Sequence, residues 1–252
     1  MTQHHNSLVQ SQFGPGAADY ITSAVHAHGA DLHRIAAIAA ARMPANALDL
    51  GCGGGHVAYA MAPHAARVTA CDLSPAMTAA VEAEAARRGL ANIQTCCAPA
   101  ASLPFADGAF DMLACRFSAH HWQDLPAGLR EARRVLRSGG AAVFADVIAP
   151  PLAAADTHLQ AVELLRDPSH VRDYGEAEWR AMLARAGFAI TAITKGRLRM
   201  DFADWTARMR TTPDRAAAIR TLQVLASSEV ASHFAIEQDG SFTIDTILIE
   251  VA

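Results

Sequence analysis

No apolar stretch in this 252-residue chain is long enough to cross a bilayer, because a membrane helix needs about 18 consecutive apolar residues. The longest, Ile35–Ala41, is seven residues long and lies between Arg34 and Arg42. Met1–Asn6 is polar and no apolar segment follows it, so a secretory signal is not expected. Cysteine is scarce and odd in number: Cys52, Cys71, Cys96, Cys97 and Cys115, with no CxxC pair. That pattern excludes a zinc ribbon and a disulfide framework. Four of the five fall in segments that read as buried strands, where cysteine acts as a small apolar residue in a reducing compartment. Lysine is reduced to Lys195 among 21 basic residues, which reads as coding bias in an alanine-rich chain. A basic excess is missing as well. Residues 1–150 carry ten Arg against eleven acids, and residues 151–252 carry eleven basic residues against fourteen acids. Duplex binding needs the opposite balance. Arg130, Arg133, Arg134 and Arg137 cluster locally, but at helical spacing, and read as a solvated helix face rather than a phosphate site. The expectation is a soluble, cytoplasmic protein with neither a membrane nor a nucleic-acid partner and no metal site.

What the chain does have is apolar material: 52% hydrophobic residues against 18% charged, at a formal net charge of −4. Such a chain offsets its ordering entropy, and its length suits one large core. Ala17–Arg42 has helical periodicity and stops before Pro44. Short apolar strands then alternate with amphipathic helices. The strands are Ala47–Leu50, Arg67–Cys71, Asn92–Cys97, Phe110–Arg116 and Ala141–Ile148. Ser74–Pro75 supplies an N-cap and an N1 proline for the helix that ends at Gly89. This rhythm calls for a doubly wound, Rossmann-like α/β fold with a parallel sheet between helices. Beyond 150 the rhythm changes. Helices are expected at Pro151–Arg166, Gly175–Ala186, Phe202–Arg210 and Asp214–Ala226, and strands at Phe188–Met200 and Phe242–Val251. The last strand reads as an antiparallel edge strand, and the helices between 201 and 235 as a lid inserted at one side of a seven-stranded sheet. One domain is expected: a helical cover over 1–44, a core over 45–150, and acceptor-side helices, lid and edge strands over 151–252.

The sharpest local signal is Ala47–Gly55, a strand that runs straight into Gly51, Gly53, Gly54 and Gly55. Glycine tolerates positive φ and lets a ligand approach the backbone, while a helix N-terminus offers unpaired N–H groups. Asp72 ends the next strand, 21 residues after Gly51, where a carboxylate accepts from ribose hydroxyls in a doubly wound sheet. The dinucleotide pattern G-x-G-x-x-G would need a glycine where His56 stands. The pattern here is instead Asp49-x-Gly51-x-Gly53-x-Gly55, with an acid leading it. A tight strand–helix turn without any ligand is the bland alternative.

Leu48–Gly55 resembles motif I, and Val68–Ser74 motif II, of class I S-adenosylmethionine-dependent methyltransferases. Leu103–Asp111 and Arg133–Gly140 are similar to the segments that lead into the fourth and fifth strands of that family. Within it, the chain looks like the methyltransferase type 11 group, with the quinone-biosynthesis C-methyltransferases and bacterial small-molecule enzymes. The resemblance implies S-adenosylmethionine as cofactor, with S-adenosylhomocysteine as product, and a small-molecule acceptor methylated at carbon or oxygen. It places Asp49, Gly51, Gly53 and Gly55 around the amino-acid end of the cofactor, Asp72 on the ribose, and Leu73 and Met77 beside the adenine. Arg116 and Tyr20 are expected to bind the cofactor too. Ala98–Pro99–Ala100 stands where many relatives have Gly-Asp-Ala; Pro99 cannot accept from the adenine amino group, so recognition there shifts to backbone and packing.

Methyl transfer needs alignment and exclusion of water, plus a base only where the acceptor loses a proton. Arg116–Phe117–Ser118–Ala119–His120–His121–Trp122 follows the fourth strand, at the edge where such sheets bind ligands. His120 and His121 are therefore the candidate catalytic residues, one facing the acceptor and the other structural. The alternative is that His121-Trp122-x-Asp124 pins a loop and caps the next helix. Phe13–Gly14 with Tyr20, and the loop Asp167–Tyr174, are candidates to close the site, although a solvated connection explains His170, Arg172 and Tyr174 equally well. His4–His5 reads as a mobile terminus, and His26, His28 and His33 as a partly exposed helix face. Two other functions stay open on the residues alone. An NAD(P)-dependent oxidoreductase is disfavoured by the missing third glycine and the lack of a Tyr-x-x-x-Lys pair. A non-catalytic cofactor-binding regulatory module would keep Asp49 and Asp72. The residues name neither the acceptor nor an oligomeric state.

Overall fold

The computed structural model describes residues 4–14 and 29–252. Tyr20, His26 and His28 lie outside them. An N-terminal helix, α1 (His5–Phe13), is followed by α2 (Ala30–Arg42) and β1 (Asn46–Leu50). The glycine loop then opens α3 (His56–Met61), and β2 (Arg67–Asp72), α4 (Pro75–Arg87), β3 (Ile93–Cys97), β4 (Phe110–Arg116), α5 (Leu125–Val135) and β5 (Leu136–Val147) complete the first half. The second half contains α6 (Ala153–Arg166), α7 (Glu176–Arg185), β6 (Ile190–Met200), α8 (Phe202–Arg208), α9 (Pro213–Val224), α10 (Ser228–His233) and β7 (Phe242–Val251).

The seven strands form one sheet in the order β3-β2-β1-β4-β5-β7-β6. Pairs within β1–β5 are parallel, and β7 runs antiparallel to both β5 and β6. The expected seven-stranded, doubly wound α/β sheet is therefore present, with one change of order. The last strand is not at the edge: β7 inserts between β5 and β6, and β6 is the edge strand. Composition explains this. β7 carries Ile244, Ile247, Leu248, Ile249 and Val251, all buried, whereas β6 is largely exposed and carries Lys195, Arg197 and Arg199, the charged edge that resists pairing with another chain.

Strand residues alternate between two buried faces. Leu48, Leu50, Leu113, Cys115 and Phe144 pack toward Leu129 of α5 and Trp179 of α7. Ala47, Val68, Ala70, Met112 and Val143 pack toward Ile35 of α2, Met61 of α3 and Val81 of α4. A third cluster lies beyond the sheet's carboxyl edge, where Leu159, Trp205, Ile219 and Phe234 join Phe242 and Ile244. The inserted helices are thus seated on an apolar core of their own, and α10 adds a helix that the periodicity had not marked. Two expectations about the margins change. Cys96 is half-buried and Cys97 exposed, because β3 is the other edge of the sheet. His5 is not part of a loose terminus but starts α1, and its Nε2 lies 2.9 Å from the His121 carbonyl.

Candidate active site

The carboxyl ends of β1, β2, β4 and β5 come level at one rim, since Leu50 pairs with Cys71, Asp72 with Cys97 and Arg116 with Ala145. Strand order reverses between β1 and β4, and ligands bind at such a switch point. The loop there is built on backbone conformation. Gly51, Gly53 and Gly55 have φ of 72°, 47° and 79°, values that side chains other than glycine rarely adopt. At Gly51 a Cβ would also fall 1.9 Å from Ser118 Oγ. The loop is drawn over the end of β2: Asp72 accepts from the Gly53 N–H at 2.9 Å and from the Ser74 N–H at 2.8 Å. Burial pushes the Asp72 carboxyl up from its ordinary value, against these backbone donors. Ser74 is the N-cap of α4, accepting from the Met77 N–H, and Pro75 fills its first position.

A cavity of about 270 Å³ opens at this rim. Gly51, Gly53, Asp72, Leu73, Met77, Ala98, Pro99, Ala100 and Arg116 all line it. Asp49 and Gly55 do not; they sit beneath and shape the loop. Asp49 Oδ2 accepts from the Ala58 N–H at 2.9 Å, pinning the start of α3 to β1, while its Oδ1 is buried with no partner among the described residues. Burial raises the Asp49 carboxyl to about 7 in spite of that bond. Ala98, in the place of the family's small residue, donates its N–H to the Asp72 carbonyl and fixes the segment before Pro99.

The walls suit an adenosyl cofactor. Asp72 uses one N–H contact on each oxygen, and a carboxylate has about four acceptor sites, so two remain for ribose hydroxyls. Leu73, Met77 and Ala98 supply apolar surface for a flat base. Arg116 is buried and fixed by Asp31 of α2 through Nε and an Nη, at 2.5 and 3.2 Å. Asp31 carries no signal in the sequence, because its partner lies 85 residues away. Asn6, Val9 and Phe13 of α1 cover the open side, and Gln10 Nε2 donates to the Leu73 carbonyl.

Past β4 the chain turns sharply. Phe117 adopts φ 50°, a left-handed conformation that costs a bulky residue about 1–3 kcal/mol and marks functional loops. The next residues form a short 3-10 turn, Ala119–His121, and the two adjacent histidines diverge in chemistry. His120 Nδ1 lies 2.5 Å from Asp146 Oδ1 at the end of β5. Burial opposes charge on His120, but Asp146, then Asp173 and Glu163, outweigh it and raise the ring to about 9. His121 is lowered to about 4 by burial and by the neighbouring His120. At neutral pH His120 is a fixed cation and His121 a neutral ring. Asp124 is the N-cap of α5, accepting from the Ala127 N–H at 2.8 Å, as the capping reading of this stretch has it, and His121 also lines the cavity at the rim.

The loop 167–174 is not a solvated connection. Asp167, Ser169, His170 and Asp173 are buried, and the Val171 and Arg172 N–H groups donate to the His120 carbonyl. Arg172 pairs with Asp156 and Glu178, while Tyr174 packs beside Trp179. A second, smaller cavity lies here, with His120, His121, Glu163, Arg166, Asp167, Asp173, Met200, Trp205 and Ile244 in its wall. Phe13, Phe117 and His121 line both cavities and form the partition between them. Among the described residues, no cluster of three or more metal-ligating side chains occurs, and no helix is long and apolar enough to cross a membrane.

Comparisons with known proteins agree with this geometry. A methyltransferase-domain family model matches residues 48–144. The chain is 42% identical to Escherichia coli YafE over 78% of its own length and 95% of that protein. It is 34% identical to the uncharacterized methyltransferase YcgJ of Bacillus subtilis over 96% of its own length and 97% of that protein. The YcgJ crystal structure superposes with a TM-score of 0.85, at 33% identity, covering 89% of this chain and 98% of that one. A demethylmenaquinone methyltransferase from Thermus thermophilus is 36% identical over half of this chain and 59% of its own length. Full-length similarity at this level, on the same seven-stranded sheet, means that the chain belongs to the methyltransferase family.

Proposed function

We propose that the protein transfers a methyl group from S-adenosylmethionine to a small organic acceptor, at carbon or oxygen. The observation that carries this reading is Asp72 at the end of β2, tied to the Gly53 N–H across a loop of three positive-φ glycines. When bound, S-adenosylmethionine supplies a methyl group on an already activated sulfonium. Asp72 would hold the ribose, Leu73, Met77 and Ala98–Pro99–Ala100 the adenine, and Arg116 with the Gly51–Gly53 backbone the amino-acid end. Pro99 brings no acceptor for the adenine amino group, so packing has a larger share of that recognition than in relatives with an aspartate there.

The partition residues then have distinct tasks. Phe13 and Phe117 exclude water from the junction, which strengthens polar contacts there. His121, neutral at pH 7, has a ring nitrogen that can receive a proton from the acceptor, and with its ring lowered to about 4 it suits only an acceptor acidic in its own right. His120 is protonated at that pH and held by Asp146, so it contributes a fixed positive charge rather than a base. A small acceptor is supported by the second cavity and by the mildly acidic balance of the chain, which disfavours a nucleic-acid polymer.

Purified protein incubated with methyl-labelled S-adenosylmethionine and a metabolite extract should label a low-molecular-weight product. Label appearing only in macromolecules, or in nothing although the cofactor binds, would contradict the proposal.

A further inference from the structure

The two histidines leave an unresolved hydrogen-bond account at the second cavity. His121 Nδ1 is 3.2 Å from the Ser169 carbonyl. A carbonyl only accepts, so this nitrogen carries the proton of the neutral ring and Nε2 is left as an acceptor. Nε2 faces Asp167 Oδ2 at 3.8 Å, too far for a hydrogen bond. Asp167 is 1% exposed. Its Oδ1 accepts from the Ser169 N–H and Oγ at 2.8 and 2.6 Å, whereas Oδ2 has no partner among the described residues. Two acceptors thus point at one gap with no donor between them, in the wall of a cavity that adjoins the cofactor pocket. An unsatisfied buried carboxylate oxygen is costly, and such an exception in a native structure calls for an explanation.

Resting on the methyltransferase reading above, we infer that this gap is where the acceptor is recognised, and that the acceptor carries a hydroxyl which lodges between Asp167 Oδ2 and His121 Nε2. The single hydroxyl proton goes to Asp167 Oδ2, the costlier of the two to leave unpartnered, and His121 Nε2 stands beside the hydroxyl oxygen, free to receive that proton when the acceptor gives it up. The choice of a neutral hydroxyl over an ammonium follows from the surroundings. His120, whose ring centroid is 4.2 Å from that of His121, and Arg166 and Arg208 stand against Glu163, Asp167 and Asp173 in the same wall, so no excess of negative charge is left there to hold a further cation. Size sets the rest. The cavity holds about 70 Å³, well short of the roughly 150 Å³ at which a cavity takes up benzene. Only the hydroxyl-bearing end therefore lies inside, among Met200, Trp205 and Ile244, and the remainder of the acceptor reaches back past Phe117 toward the first cavity. Asp167 thereby becomes a specificity-determining residue on an element far from every motif of the cofactor half.

The inference is tested on protein saturated with S-adenosylhomocysteine and titrated with phenol, toluene or benzylamine, following the His121 ring nitrogens by 15N NMR. Phenol should bind at least about tenfold tighter than toluene, as expected for a hydrogen bond to a charged buried group, and should move Nε2 more than Nδ1. Benzylamine should bind no better than toluene. Asp167→Asn keeps an oxygen for Ser169 and should reduce phenol to the toluene level, with S-adenosylhomocysteine affinity within twofold of the wild type. Equal binding of phenol and toluene, preference for benzylamine, or a phenol complex that leaves His121 unmoved would each overturn the inference. The wild-type titration decides the matter even where Asp167→Asn does not fold. Failure of S-adenosylhomocysteine to bind would instead remove the methyltransferase reading, and the phenol-to-toluene ratio, measured without it, would still judge this site.

Discussion

The two cavities are built by different means. Around the first, the backbone carries the site: positive-φ glycines, N–H groups and the ends of parallel strands, most of them supplied by residues 46–118 in chain order, with α1 as cover. Around the second, side chains from five separated stretches converge: His120 and His121, Asp146, Asp167 and Ser169, Met200 and Trp205, and Ile244. A backbone site tolerates change in most side chains but not at its glycines. A side-chain site keeps its shape under such changes and depends on individual polar groups. The comparison explains why one architecture can hold one cofactor while accepting many substrates, since the second site can be rewritten without touching the first.

The sharpest way to break this contrast is Gly51→Val. The new side chain would have to adopt φ 72° and enter the space of Ser118 Oγ. S-adenosylhomocysteine affinity should fall at least about 100-fold, equivalent to about 3 kcal/mol, while the indole signal of Trp205, which lines only the second cavity, keeps its wild-type position. Calorimetry and NMR on the same sample read both; binding retained within threefold would remove the claim that the loop backbone holds the cofactor.

The next effect belongs to the second region and appears as pH dependence. The folded-state value of His120, about 9, lies above the ordinary value near 6.5, so its pairing with Asp146 stabilises fully below pH ~6.5. That contribution is lost as pH rises through 9. It is worth at most about 3 kcal/mol. The melting temperature of the wild type should therefore drop between pH 6.5 and 9.5, and Asp146→Asn should flatten that part of the curve. Parallel curves for the two proteins would contradict the assignment.

Helix caps make the smallest and cleanest pair. Ser74→Ala removes the N-cap of α4 beside Asp72, and Asp201→Ala removes that of α8, whose Oδ1 accepts from the Asp204 N–H at 3.0 Å. Each should cost about 1 kcal/mol, or roughly 2–4 °C in melting temperature. Only Ser74→Ala should also weaken S-adenosylhomocysteine. Equal effects of both on cofactor affinity would erase the boundary between the regions.

The same contrast accounts for what could be read from the residues alone. Glycine spacing, Asp72, the Ser74–Pro75 cap and the Asp124 cap are local features, and local chemistry suffices to place them. Within motif I the structure adds what the residues alone do not show: Asp49 Oδ2 accepts from the Ala58 N–H beneath the loop, and Asp49 is not in the cavity wall. Pairings such as Arg116–Asp31 and His120–Asp146 join residues 85 and 26 positions apart, so no window of sequence contains them. The place of β7 inside the sheet was missed because the alternation that reads as a strand does not say which neighbours it has. The loop 167–174 looks solvated by composition, yet Asp167, Ser169, His170 and Asp173 are buried, because the loop folds back on itself through the Asp167–Ser169 contacts and donates two N–H groups to the His120 carbonyl.

On the proposed reading, the cofactor and acceptor sites have separate determinants although they share a wall. Calorimetry with S-adenosylhomocysteine on three proteins, the wild type, Asp72→Ala and Asp167→Asn, tests it most directly. The account predicts binding by the wild type, a loss of about 10- to 100-fold in Asp72→Ala, and wild-type affinity in Asp167→Asn. Absence of binding in the wild type, or affinity untouched by Asp72→Ala, would contradict it.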